Sequence, residues 1–546
     1  MLRALSRRLV VACAVALAVP ASALAAPLPS KLPNAAPLPK PKPNAKGTKP
    51  APAKAPGTKA LPVHPYLAPL PSIHLDAYNS SVMDYPTPTA SDELDKITRT
   101  PYSDRERLEL GTCLNFMQDK AGNVYGFCGD SIPLLYNKPW TKRFYKNNKI
   151  GAAKFKLVAF DPITMKKLDA VELTKVGGAG GKDCTGNERV AFNLGYFTMD
   201  NQGRILIPGD GNVLRFYKRV GGEIKVVYTR ALEPMLKAWK VKGGAVSQVV
   251  PAFDGGWYLM GEYVDGGQWG TFAAHITKTW VMDGLQKIPN ERLENGMAVD
   301  KQAMYLLSDR ALYKFSPAKT GLQQKFRFAY KTPANCDEDK TLSHGSGSTP
   351  TLMGADLVTF TDNADGRVNL VVLDRRDSAP KRKICEVPLF SPGKSENENT
   401  VIGYGNSIYV QNFAGGPKVV SHRSDELVGG FWRVDVAKDN SGCAVKWKKD
   451  YASIATARLS LKTGLIYMPI ENWPKRELEL AFIDSATGNE ARPRLRLGDL
   501  SATKIAKDSA KLRFRKNEIM MMPIYALPDG RLLQPVFQGF KVISRK

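Results

Sequence analysis

One short arrangement of apolar and polar positions recurs eight times along this chain. It consists of an apolar run, a tight turn that usually holds glycine, a second apolar run, and then a polar residue. The units are residues 114–130, 194–210, 249–262, 297–309, 351–362, 401–412, 459–471 and 524–534. Two such runs joined by a turn read as a β-hairpin. Successive units start mostly ~50 to 65 residues apart, which is the spacing of β-propeller blades, with one hairpin opening each blade. The pattern therefore predicts an all-β protein, a β-propeller of eight four-stranded blades, with seven blades as the alternative.

The first unit already holds four strands, near residues 113–118, 123–128, 155–161 and 168–173, whereas the last, from Met520 to Ile543, shows about three. A propeller ring closes when a strand from the other terminus completes the last blade, which leaves no exposed sheet edge. The stretch from about Ile73 to Leu110 is the candidate for that strand. Several units end in turns close to Asp-x-x-Thr-Gly, as at Asp161 to Thr164, Lys319-Thr320-Gly321 and Asp484 to Gly488. There the aspartate accepts from backbone N–H groups ahead of it and glycine supplies positive φ.

Counting pairs across the hairpin turns places polar residues around each mouth: Asn193 opposite Asp210, Ser247 opposite Glu262, Glu294 opposite Asp309 and Asn397 opposite Asn412. First strands line the central channel, so these mouths are expected to gather at one opening. Asp130, Asp210, Glu262, Asp309, Asp362, Asn412, Glu471 and Gln534 then form a ring rich in carboxylates. Carboxylates and amides are the ligands of a hard cation such as Ca²⁺. The ligand-binding set is Asp210, Glu262, Glu294, Asn295, Asp309, Asp362, Asn363, Asn399 and Asn412, and the metal set within it is Glu294, Asn295, Asp309 and Asp362. His344 stands beside Gly345-Ser346-Gly347-Ser348, small residues that let a ligand approach the backbone. It is the candidate catalytic residue, as a general base or a nucleophile in sulfuryl or acyl transfer. Trp257, Trp269 and Trp280 cluster in one unit, as core residues or as a stacking surface for sugars or flat rings.

The blade Asn295-Gly296-Met297-Ala298-Val299-Asp300, with Leu307-Ser308-Asp309 and Leu312-Tyr313-Lys314-Phe315, resembles those of the gluconolactonase and strictosidine-synthase-like propellers. The Asp-x-x-Thr-Gly turns resemble those of quinoproteins. His344 to Gly354, Thr361 to Asp365, Cys385-Glu386-Val387-Pro388, Glu398-Asn399 and Leu459-Ser460 together resemble a little-characterised group of exported bacterial propellers, over about residues 294–488. The lactonase resemblance implies a metal held by Glu, Asn and Asp. Asn295 and Asp309 match its motif, and Cys113 and Leu114 stand where that family's first-blade Glu is expected.

The chain begins differently. Basic Arg3, Arg7 and Arg8 precede an apolar stretch from Leu9 to Val19 and Ala23-Leu24-Ala25, the anatomy of a cleavable signal peptide over residues 1–25. Ser6-Arg7-Arg8 also resembles the start of a twin-arginine signal. Residues 26–72 are rich in Pro, Ala and Lys, a composition that buries no core and reads as an extended linker. The propeller is expected over 73–546. Without Cys13, six cysteines are left in an exported chain: Cys113, Cys128, Cys184, Cys336, Cys385 and Cys443. Disulfides are expected among them. A turn at Asp119 to Gly122 sets Cys113 directly opposite Cys128, within bridging reach.

Net charge is +26 over 546 residues. A basic exported protein suits anionic surfaces, whereas export and the absence of a reading motif argue against nucleic acid. No membrane-spanning segment follows the signal. The reading is an exported, periplasmic or extracellular binding propeller that presents a polar, acidic channel mouth to a small polar ligand, a cation or an anionic cell-surface polymer. The alternatives are a metal-dependent lactonase-like hydrolase, in which a metal polarises a carbonyl and activates water with His344 assisting, and a quinone-dependent dehydrogenase.

Overall fold

The recurring pattern becomes eight antiparallel sheets, each a propeller blade. The computed structural model describes residues 61–99, 111–130, 155–173, 196–293, 295–334, 343–416, 427–500, 517–519, 521–537 and 539–546. The inner strands are, in order, Gly111–Gln118, Thr198–Met199, Ala245–Pro251, Ala298–Val299, Thr351–Met353, Ile402–Tyr404, Arg458–Ser460 and Tyr525–Ala526. Blades 1 to 7 each run outward through the next three strands in the chain, as with Val124–Asp130, Phe155–Phe160 and Lys167–Leu173 in blade 1.

Both faces of a blade are covered by its neighbours, so the core forms as layers between blades rather than as one central mass. Leu206, Phe216, Leu259 and Phe272 form the layer between blades 2 and 3. Leu312 and Tyr305 pack on Val358 and Phe360 between blades 4 and 5. Phe116 and Phe160 of blade 1 meet Tyr525 and Phe540 of blade 8 edge to face, with ring centroids 5.0 to 5.6 Å apart along that seam.

The ring closes as the sequence predicts. Blade 8 takes three strands from the C-terminal end, and its outer strand is Leu94–Arg99, paired antiparallel with Gly539–Arg545 from Leu94↔Arg545 to Arg99↔Phe540. The segment before that strand does more than the sequence suggests. An inner strand has an unpaired edge toward the channel, and residues 64–83 run across one end of the ring and occupy those edges. Leu70 exchanges backbone hydrogen bonds with Gln118, and Ala68 and Pro71 bond Met199. Val299 then donates to Ala77 O, Leu352 to Tyr78 O, Gly403 to Ser80 O and Leu459 to Ser81 O. Val82–Met83 finally lies parallel to Arg458–Ser460. Leu67, Leu70, Leu75, Tyr78 and Met83 are buried in the process. We call this segment the plug.

Two disulfides are present among the described residues. Cys113–Cys128 crosses the first hairpin, where a bulge after Cys113 sets the two directly opposite. Cys385–Cys443 joins the outer strands of blades 5 and 6, Lys383–Pro388 and Cys443–Lys449. Cys184 and Cys336 lie outside the described residues. No helix among the described residues is long and apolar enough to cross a membrane.

His64 anchors the start of the plug. Its Nε2 donates to Pro251 O at 3.0 Å on blade 3, and its Nδ1 accepts from Tyr66 N at 3.2 Å, which fixes the neutral tautomer. Burial pulls its pKa down from 6.5 to about 4. In that interval the unfolded chain binds a proton that the folded chain refuses, so stability falls as pH drops. The expected loss from this residue is about 3 kcal/mol on going from above pH 6.5 to below 4. Urea melts of the parent and His64→Gln across that range will measure it as the difference between the two slopes; parallel slopes would contradict it.

Candidate functional site in the central channel

The polar residue that ends each hairpin has a shared local task. Chain crossing from one blade to the next carries backbone N–H groups away from any strand partner, and buried N–H groups need acceptors. Glu262 Oε1 accepts from Leu293 N at 3.1 Å, and Asp309 Oδ1 from Arg292 N at 2.9 Å. Asn412 Oδ1 accepts from Glu396 N at 3.2 Å and Glu471 Oε1 from Ile519 N at 3.0 Å. Gln534 reverses the polarity and donates to Met522 O. Asp362 instead holds Asn369 of its own blade, through N at 2.6 Å and Nδ2 at 2.8 Å. Burial raises the carboxyl pKa of both Asp309 and Asp362. These side chains act as clasps that tie the mouth of the ring together.

The structure brings part of the sequence-derived set together. Asn295 accepts from the Tyr196 hydroxyl at 2.9 Å and donates to Ser346 O at 2.7 Å. Asn363 donates to Ser343 O at 3.0 Å, and Glu398 receives both the N–H and the hydroxyl of Ser343. His344 follows directly and lies near Asp309, where a charge on its ring would act against the burial that raises that carboxyl's pKa. Asn295, Asp309, Asn363 and His344 thus line one arc over blades 4 and 5, with Glu262 reaching Leu293 beside it. Asp210 sits apart on an exposed turn of blade 2, Asp210–Asn212, and Asn412 is enclosed in blade 6. Glu294 lies outside the described residues. Among the described residues no three of His, Cys, Asp and Glu are grouped as a metal ion requires.

The small residues beside His344 serve the protein's own packing. A Cβ on Gly345 would lie 2.4 Å from Asp309 Cα, and one on Gly347 would lie 1.9 Å from Asn397 O. Ser346 donates to Thr361 O at 2.6 Å, and Ser348 Oγ accepts from Thr361 N at 2.8 Å. The loop is wired to the second strand of blade 5 at both serines.

Deeper, the channel holds a polar centre. His74, on the plug, is fully buried; its Nε2 lies 3.0 Å from Thr349 Oγ1 of blade 5 and 3.4 Å from Thr400 Oγ1 of blade 6. Its ring is 5.8 Å from that of Tyr196. Burial, then the charge of Arg458, holds its pKa well below the usual imidazole range, so the ring is neutral. Arg458 is the largest fully buried side chain among the described residues. Its Nη1 donates to Ser81 Oγ at 2.5 Å and its Nη2 to Ile73 O, both on the plug. Burial draws its pKa down to about 10. Asp76 is half-buried and accepts from Tyr78 N and Ser80 N; it reaches Arg458 by charge, without a hydrogen bond between them. Nearby, Asn399 accepts from Thr456 Oγ1 at 3.0 Å.

Two nitrogens in this centre lack any hydrogen-bond partner: His74 Nδ1 and Arg458 Nε. A threonine hydroxyl either donates to or accepts from Nε2, so both neutral tautomers fit His74 and Nδ1 is a donor in one and an acceptor in the other, whereas Arg458 Nε is a donor in every case. Buried donors without acceptors are rare and costly. Of this centre, sequence reasoning reached only Asn399. The signal for Arg458 was a lone cation inside the apolar inner strand of the seventh unit; His74 and Asp76 had none, because they sit outside the repeat.

No family model matches the chain, and no curated protein sequence matches it. Solved propellers do. A quinohemoprotein alcohol dehydrogenase from Pseudomonas putida HK5 is 9% identical at a TM-score of 0.47, over 87% of this chain and 80% of its own. A protein provisionally named a 6-phosphogluconolactonase from Bacteroides fragilis is 10% identical at 0.35, over 73% and 98%. A second of that name from Bacteroides uniformis is 11% identical at 0.34, over 64% and 96%. These likenesses reach no further than general architecture, and carry nothing about what this chain binds or does.

Proposed function

We propose that the protein is an exported binding propeller that takes up a small anionic, polar ligand in its central channel. The observation that supports this is the partnerless donor Arg458 Nε, on a fully buried guanidinium that Asp76 reaches by charge but not by a hydrogen bond, beside the equally orphaned His74 Nδ1. A bound carboxylate, sulfate or phosphate oxygen satisfies such donors by charge-assisted hydrogen bonds, which are about twice as strong as neutral ones. Asn295, Tyr196 and the arc of Asp309, Asn363 and His344 stand on the mouth side, where they select for hydroxyl-bearing ligands. The basic N-terminal signal pattern and the two disulfides support export.

The test is thermal melting with a panel of phosphate, sulfate, citrate and gluconate. A member present at a hundredfold excess over its Kd stabilises the parent by about 2.7 kcal/mol. Arg458→Gln is expected to abolish that gain, and calorimetric titration will give the Kd directly. If no member raises the parent's Tm, or if Arg458→Gln responds as the parent does, the reading fails.

A further inference from the structure

A second site stands on the outer rim of blades 2 and 3, away from the channel and independent of the reading above. Trp280 occupies a turn with φ 64°, the left-handed region where glycine or asparagine is relaxed and a bulky ring is strained. The indole is half-exposed. One face stacks on Trp257 at 5.2 Å and 19°, and Tyr228 leans against it at 5.9 Å. Next to it, Trp239 is fixed by its Nε1 donating to Met282 O at 3.2 Å. Tyr228, Trp239 and Val281 are 38%, 36% and 58% exposed, an apolar patch that folding alone does not call for.

Between the two indoles lies a cavity of about 560 Å³, lined by Arg230, Pro234, Met235, Trp239, Trp280 and Val281, and no acidic side chain lines it. The Arg230 guanidinium lies 5.6 Å from the Trp280 ring centroid and its Nη2 donates to Trp280 O at 3.3 Å. Among the described residues no carboxylate pairs with Arg230, and its Nε has no hydrogen-bond partner. Indole and phenol faces beside an unpaired cation suit a ring with one apolar face and a carboxylate.

We propose that this rim binds uronate residues of an acidic polysaccharide, with sugar rings stacked along Tyr228, Trp280 and Trp239 and a carboxylate on Arg230. Two exposed rings, Tyr228 and Trp239, and the half-exposed Trp280 beside Arg230 offer apolar faces and a cation to an acidic sugar. The chain's net charge of +26 favours the same partner.

Tryptophan fluorescence of the full chain will be titrated with trigalacturonate, neutral galactotriose and benzoate. Saturable binding of trigalacturonate at least about tenfold tighter than either of the others is expected. Arg230→Gln should bring trigalacturonate down to the neutral sugar's level. Trp280→Ala should abolish binding, and Trp280→Phe, which keeps a ring in the stack, should restore part of it. Equal affinity for acidic and neutral sugar, benzoate binding as tightly, or unchanged binding in Arg230→Gln would overturn the proposal. So would sedimentation showing that the patch instead holds two copies of the chain together, with self-association lost in Trp280→Ala and no sugar bound.

Discussion

Deleting residues 61–99 will leave a chain that neither melts cooperatively nor stays monomeric. That one segment does two jobs. As the plug it satisfies the channel-facing edges of blades 1, 2, 4, 5, 6 and 7, and as Leu94–Arg99 it supplies the outer strand of blade 8. Its loss exposes those edges, uncovers the faces that met Leu67, Leu70, Leu75 and Met83, and strips Arg458 of both recipients of its hydrogen bonds. The combined cost exceeds about 5 to 15 kcal/mol, the whole stability of an ordinary domain. Open strand edges then pair between molecules. Circular dichroism melts and size exclusion will show this as loss of the transition and growth of aggregates. A monomer melting within about 2 °C of the parent would refute the account. Ile97→Ser is the contrasting control: this residue is 43% exposed, and its strand contributes backbone pairing rather than burial, so its Tm should hardly move.

Gly347→Ala will destabilise the fold more than any change at its neighbour His344. The added methyl meets Asn397 O at 1.9 Å, and the obstacle is backbone, not a side chain that can swing away. The chain entering blade 6 must shift, and the serines wired to Thr361 shift with it. Overpacking of this kind costs about 1 to 3 kcal/mol, and more where the neighbour is rigid. Gly345→Ala, against the backbone of Asp309, should behave alike. His344→Ala, by contrast, removes a half-buried side chain at the mouth and should cost under about 1 kcal/mol. Chemical denaturation of the three variants will order them. If Gly347→Ala is as stable as His344→Ala, the loop is not close-packed and its glycines were kept for a ligand.

Much of this architecture could be read before any coordinates. The hairpin repeat predicted eight blades, because side-chain alternation and turn residues act over a few positions and report on the strand they belong to. The Asp turns are as expected: Asp161 Oδ1 accepts from Thr164 N at 2.7 Å and Asp484 Oδ1 from Thr487 N at 2.8 Å. Cys113 faced Cys128 for the same local reason, although the bulge before Asn115 shows that simple counting met the right pair by a different register. Elsewhere bulges shift the count. In blade 3 Ala245, not Ser247, stands opposite Glu262, because the strand buckles between Val246 and Gln248. The partnership of Cys385 with Cys443 joins two blades, and nothing local in either strand announces it.

The mouth and the channel divide along the same line. That polar residues end the hairpins was legible; that most of them clasp crossing chain was not, since their partners lie some 12 to 48 residues away on other connections. By itself the sequence determined the hairpins, their turns and the segment that closes the ring, all consequences of short-range periodicity and of one missing strand, while eight blades rather than seven came with the structure. Only the tertiary structure decided that a segment outside the repeat crosses one end of the ring and pairs with the inner strands, and that His74 and Arg458, 384 residues apart in number, meet there. Burial and charge at that centre depend on all the surrounding blades at once, and no window of sequence contains them.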